Sequence, residues 1–141
     1  MKSKQQIEDV LRRLFKGGVI ARIPRDRRDA KIFLALAASS FDPRVVYSET
    51  AVNEHLLEWM EDITSPASMD HVTVRRYLVD FYLLLRDASG SSYKANQTVI
   101  GKIIEPEARS IHPRYILETV QREKEQRKHA SATLTGDRFQ A

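Results

Sequence analysis

The chain has 141 residues, 42% of them hydrophobic and 30% charged, with no Cys and a net charge of +4. That length and balance describe a soluble globular protein of one domain with arms. They exclude disulfides and Cys-ligated zinc, and no apolar run approaches the roughly 20 residues that span a bilayer.

The first predicted helix begins at Ser3, with Gln6 at capping-box spacing. Its apolar positions are Ile7, Val10, Leu11, Leu14 and Phe15, and Gly17-Gly18 stops it. Because Met1–Gln6 leads into this periodic pattern and not into a continuous apolar run, no secretory signal is expected and a cytoplasmic location is. Val19–Ile23 is short and β-branched, ends at Pro24, and is read as a strand that pairs beside a later hairpin. A second helix covers Arg27 to Ser39, with Ile32, Phe33, Leu36, Ala37 and Phe41 as its buried stripe. Asp42-Pro43 closes it.

The third helix starts at Ser48, with Tyr47 and Val52 at hydrophobic-staple spacing. Val52, Leu56, Trp59, Met60 and Ile63 form its apolar face, and Thr64-Ser65-Pro66 breaks it. The fourth helix starts at Ser68 or Asp70, both good caps, and places Val74, Tyr77, Leu78 and Phe81 on one arc. Leu83–Arg86 and Ser91–Lys94 then pair across Asp87-Ala88-Ser89-Gly90, a Gly-bearing hairpin loop. Beyond Asn96, Val99, Ile100, Ile103 and Ile104 are apolar enough to dock. A last helix is expected from Pro113 to about Ala130, with a solvated charged run at Gln121–Lys128 and a frayed tail from Ser131.

Helix, helix, helix and hairpin in this order make the fold class mainly α with a small β-hairpin (α+β). The core is a winged helix-turn-helix over 22–95, flanked by an N-terminal helical arm (1–21) and a C-terminal extension (96–141). That grammar points to double-stranded DNA. A recognition helix must pack on one side and enter a major groove with the other. Arg75 and Arg76 flank the apolar arc, and Arg pairs bidentately with guanine O6 and N7. His71 and Thr73 lie near the helix start. At the wing, Ser91, Ser92 and Lys94 are suited to phosphate contact.

The charge is unevenly spread. Residues 1–31 carry ten Lys/Arg against four Asp/Glu, residues 32–95 five against nine, and residues 96–141 eight against six. The reading domain itself is acidic, so phosphate attraction must come largely from the flanks. Arg25, Arg27, Arg28 and Lys31, at a strand-to-helix junction where backbone N–H groups also favour anions, are the second candidate cluster, beside Arg22 and diluted by Asp26 and Asp29.

Bland readings stand beside these. Arg76 and Asp80 are four apart and suit a surface pair. Either Arg reaches Glu54, Glu58, Glu61 or Asp62 of the preceding helix. Val72 and Val79 lie opposite the core arc, which is odd for a bare helix face. The four histidines show no metal-ligand spacing, and no nucleotide-binding or hydrolase motif exists. No enzyme activity, metal or cofactor is expected.

The Tyr47-Ser48-Glu49 helix start, Val52-Asn53, the run Asp70 to Asp80, and Leu84-Leu85-Arg86-Asp87 with Gly90 and Tyr93 resemble DUF2087, a bacterial domain family of unknown function. The likeness covers Ile23 to Lys94. Its members occur alone or joined to helix-turn-helix regulators, so the resemblance implies a role linked to transcription. The expected function is a DNA-binding transcriptional regulator, acting as a homodimer through residues 7–15 or the helix after Pro113. The alternative is a protein-interaction module on the same scaffold, for which the acidic core speaks.

Overall fold

The computed structural model describes the backbone of residues 1–140 and the side chains of residues 1–131. Its elements in order are α1 (Lys4–Leu14), α2 (Arg27–Ser39), β1 (Tyr47–Ser48), α3 (Glu49–Met60), α4 (His71–Asp80), β2 (Leu84–Arg86), β3 (Ser92–Ala95), α5 (Gln97–Ile103), a 3-10 turn (Pro106–Ala108) and α6 (Pro113–Gln140). The strands form one antiparallel sheet in the order β1-β3-β2. This is the mainly helical α+β architecture that the sequence implied, and α2 through β3 follow winged-helix order.

Local chemistry sets the helix starts. Ser3 Oγ accepts from the Gln6 N–H and Gln6 Oε1 accepts from the Ser3 N–H, which completes the capping box. Ser48 Oγ accepts from Ala51 N–H, and an Asp70 carboxylate oxygen accepts from Thr73 N–H at 2.7 Å. The core joins Phe33, Leu34 and Leu36 of α2 to Val52 and Leu56 of α3 and Val74 and Leu78 of α4. Phe33 meets Trp59 at 5.4 Å, and Phe41 stands edge-on to Tyr47 at 5.1 Å.

Three expectations change. Residues 19–23 do not join the sheet. Ile20 makes one isolated parallel bridge to Thr64, and its backbone bonds to Ile63 and Ser65. The third strand is Tyr47–Ser48, which pairs Tyr47 with Tyr93 and Ser48 with Ser92. A two-residue strand leading directly into a helix leaves no periodic signal of its own. Second, the buried arc of α4 is turned. Val79 packs on the core, Val72 is half-buried, and Tyr77 is 39% exposed. Neither valine is fully exposed, and Val79 also lines the recess between α4 and the hairpin. Third, α6 runs past Ala130 to Gln140, so the backbone of the expected frayed tail is helical. No Pro interrupts that stretch, and the side chains beyond residue 131 lie outside the described residues.

The arms pack on α2 and on each other, leaving α4 with α2, α3 and β2 as its main neighbours. Arg12 forks onto Glu123 at 3.0 and 3.4 Å, and Leu117 and Val120 are buried. Arg13 holds Asp29 at 2.6 and 2.9 Å, tying α1 to the start of α2. Ile7, Leu11 and Phe15 are fully buried in the same chain. The two stripes expected to form a dimer interface are thus occupied within one chain.

At the end of α4, Tyr82 adopts φ +60 and is 68% exposed. Leu83 N–H bonds to Leu78 C=O at 2.8 Å and Tyr82 N–H to Val79 C=O at 3.0 Å, which is a Schellman cap with Tyr where Gly is usual. Tyr82→Gly should raise unfolding stability by about 1 kcal/mol in chemical denaturation, because the left-handed backbone ceases to be strained. A loss of that size would contradict this account of the cap.

Candidate nucleic-acid interface

Thr73, Arg76, Tyr77 and Asp80 are the exposed positions of α4. Arg76 projects from the side opposite Val74 and Leu78, which anchor the helix in the core, Thr73 and Asp80 lie toward that side, and Tyr77 stands at its flank. Tyr77 stacks on Phe81, one turn on, at 6.3 Å between ring centroids.

The two arginines part company. Arg75 reaches back to α3, with Nη2 3.0 Å from Glu49 Oε1 and Nη1 donating to Asn53 Oδ1 at 2.5 Å. Its side chain is only 14% exposed. It is a clasp between the two helices, on partners other than the four acids its position suggested. Arg76 is exposed and makes no hydrogen bond or ion pair among the described residues; the pairing with Asp80 does not form. His71 does not share the outer stripe. It lines a cleft of about 750 Å³ under the α3–α4 connection, with Met60, Glu61, Pro66 and Met69.

In the hairpin the serines serve the turn. Asp87 accepts from the Ser91 and Ser92 N–H groups at 2.8 and 3.2 Å and from the Ser91 and Ser89 hydroxyls at 3.0 and 3.2 Å. Desolvation raises its pKa, but the hydrogen bonds from Ser91, Ser92 and Ser89 outweigh it and bring the carboxyl down to about 2. Ser91 is therefore committed within the loop. Lys94 is exposed and unpaired among the described residues.

One group in the hairpin escaped the sequence reading. Arg86 lies across Gly90, whose φ is +73, and a Cβ on Gly90 would overlap the guanidinium. The signal was a glycine four residues after an arginine, legible only once the turn closes. Arg86 and Tyr93 form one wall of a polar cleft of about 210 Å³, and Arg75, Arg76 and Asp80 form the other. α4 and the hairpin thus share this recess, which Glu49 and Val79 also line.

The basic start of α2 reaches the C-terminal cap of α4. Arg27 places its guanidinium 5.4 Å from the Phe81 ring centroid. Arg22, Arg25 and Arg28 are exposed, Lys31 is half-buried, and none makes a side-chain hydrogen bond or ion pair among the described residues. The backbone N–H groups expected to hold an anion are taken. Asp26 accepts from Arg28 N–H at 2.8 Å and Asp29 N–H at 3.2 Å, and bonds from Asp29 and Arg28 hold its carboxyl below the usual range. The arginine side chains stay available, but the helix end does not.

Elsewhere, His55 Nε2 lies 2.7 Å from Ser40 Oγ and its ring is 4.0 Å from Phe41, while His112 packs near Trp59. Burial lowers both pKa values. Among the described residues no group of three or more His, Asp or Glu is placed to hold a metal, and no helix is long and apolar enough to cross a membrane.

A family described as an uncharacterized protein conserved in bacteria, DUF2087, matches residues 19–95, and the chain belongs to it. The match takes in α2 through β3, so it contains α4, the hairpin and the arginine-rich start of α2. No curated protein and no solved structure matches the chain.

Arg75→Ala should cost about 2 kcal/mol in urea denaturation, since it strips a mostly buried donor from Glu49 and Asn53. Arg76→Ala should change stability by less than about 0.5 kcal/mol; equal losses would contradict the division of roles. The Asp87 pKa is depressed, so its contribution to hairpin order is complete above the ordinary carboxyl range and is lost as pH falls through about 2. The Ser91 and Ser92 amide resonances should follow that midpoint in an NMR titration. A midpoint near the ordinary value of about 3.9 would refute the network.

Proposed function

We propose that this DUF2087 chain is a DNA-binding winged-helix protein with a role in transcription regulation. It works by binding and not by catalysis, and needs no cofactor. The observation that carries the reading is the exposed stripe of α4, Thr73, Arg76 and Tyr77, with Arg86 and Arg27 near the C-terminal part of that helix. A helix anchored on one side and open on the other can enter a major groove. Arg27 lies at the C-terminal cap of that helix, with Arg25, Arg28 and Lys31 near it in sequence, and Arg86 lines a recess along its C-terminal half, so these cations can meet phosphates there. Thr73 and Tyr77 are left to meet base edges, with Arg75 as the strut that fixes the helix. His71 and Ser91 contribute through helix and loop geometry, and Ser92 lies at the edge of the wing contact. A cytoplasmic homodimer on paired half-sites belongs to the same proposal, through a surface other than the α1 and α6 stripes; sedimentation of the complex counts the chains per duplex.

A second reading has its own observations. Tyr82 at 68% and Leu85 at 48% exposure leave apolar surface near α4, beside the acids Asp80 and Asp87. A protein partner could dock there. Capture of a defined protein that survives Arg76→Glu, with no duplex binding, favours this reading.

Fluorescence anisotropy on mixed-sequence duplexes at low salt tests the first. Wild type should bind. Arg25→Ala combined with Arg27→Ala should weaken binding uniformly across sequences, and should flatten the log-affinity against log-salt slope by about 1.8, at about 0.9 per lost phosphate contact. Folded protein that binds no duplex at low salt contradicts it.

A further inference from the structure

We infer that the recess between α4 and the hairpin is a seat for a single phosphate, gripped by Arg76 from the helix and Arg86 from the wing, with the Tyr93 hydroxyl as a third donor. The inference rests on the DNA-binding reading for its source, a phosphodiester of the nucleic-acid backbone. The shared chemistry is that of any phosphate oxyanion.

Four observations carry it. Three arginines, with Glu49 and Asp80, line a space of about 210 Å³. Only Arg75 is neutralised there, by Glu49 at 3.0 Å, which leaves Glu49 turned toward it. Arg76 and Arg86 have no hydrogen bond or ion pair among the described residues, although Asp80 stands at the same recess. Two unpaired guanidiniums held at one cleft repel one another, and an oxyanion between them removes that repulsion and fills their forked donors.

The third donor is built in. Tyr93 is 3% exposed, lines the recess, and has no hydrogen-bond partner among the described residues. Its ring is buried but its hydroxyl reaches solvent, so the O–H is open to a ligand at the recess. Its place is fixed by pairing with Tyr47 on one side and Arg86 on the other.

The fourth observation is Gly90. Its positive φ and missing Cβ let the Arg86 side chain lie back along the loop. That holds the guanidinium against the hairpin loop instead of leaving it extended, while Arg86 and the α4 residues line one recess. Arg76 then works as a phosphate grip, and sequence discrimination falls to Thr73 and Tyr77.

The test uses the full chain and four variants, Arg76→Ala, Arg86→Ala, the double variant and Tyr93→Phe, each confirmed folded by circular dichroism. Duplex affinity is measured by anisotropy across a salt series. Each arginine variant should lose roughly tenfold in affinity and about 0.9 in salt slope, and the double variant should lose no more slope than either, because one phosphate is shared. Tyr93→Phe should weaken binding with the slope unchanged. A double variant losing about 1.8 in slope means two separate phosphates and overturns the seat. Arginine variants with wild-type affinity and slope overturn it too, while leaving the DNA-binding reading intact. If wild type binds no duplex, that reading fails. Inorganic phosphate, titrated by amide NMR at constant ionic strength, then decides the seat alone. Shifts at Arg76, Arg86 and Tyr93 that vanish in the double variant support it with free phosphate as the source, and no shifts overturn it.

Discussion

The clasp of Arg75 on Glu49 and Asn53 decides how α4 is presented. With Val74 and Leu78 in the core, a helix can still rotate by a fraction of a turn. A guanidinium held by a carboxylate and an amide on α3 fixes that rotation and draws Val79 inward. Thr73, Arg76 and Tyr77 are left outside. Every functional statement about this chain follows from which of its adjacent arginines is bound inside and which is free. The free one meets Arg86 across a recess, and the bound one makes that meeting reproducible.

Charge in the folded chain is placed differently from charge along the sequence. The strongly basic first 31 residues look like a uniform phosphate-binding arm. In the fold, Arg12 and Arg13 are engaged by Glu123 and Asp29, and the Lys124 ammonium donates to the Lys16 carbonyl. Arg22, Arg25, Arg28 and Lys31 make no side-chain ion pair, and Arg27 packs on Phe81 at the end of α4. The acidic character of the middle segment is also partly internal. Asp70 caps a helix, Asp87 closes a turn, and Glu49 meets Arg75. The field near α4 is thus more positive than the domain's net charge suggests. Association steered by such a local field is sensitive to salt.

What the sequence revealed was what neighbours in sequence determine. Caps at Ser3, Ser48 and Asp70, the stop at Gly17-Gly18 and the Gly90 turn all act over a few residues, and each is found at its expected place. So is the hairpin, with its first strand starting one residue later than expected and its second shifted by one. The misses concern contacts between distant segments. Residues 19–23 have strand composition, but Ile20 meets the loop after α3 and not the sheet edge. Tyr77 fits the apolar arc of an isolated helix, yet the Arg75 clasp turns it out. Asp26 dilutes the arginine cluster on paper, and in three dimensions it also occupies the amides that an anion would use. Arg86 reads as an ordinary strand residue until Gly90 folds beneath it.

The central claim is that the outer stripe of α4 and the cations near it form one surface for a duplex. Amide shift mapping of the labelled full chain, titrated with a short mixed-sequence duplex at low salt, tests that surface residue by residue. The account predicts perturbations concentrated at Thr73, Arg76 and Tyr77, at Arg86 and Lys94, and at Arg25 to Arg28. Perturbations confined to α6 or to the cleft beside His71, with α4 and the hairpin silent, would contradict it.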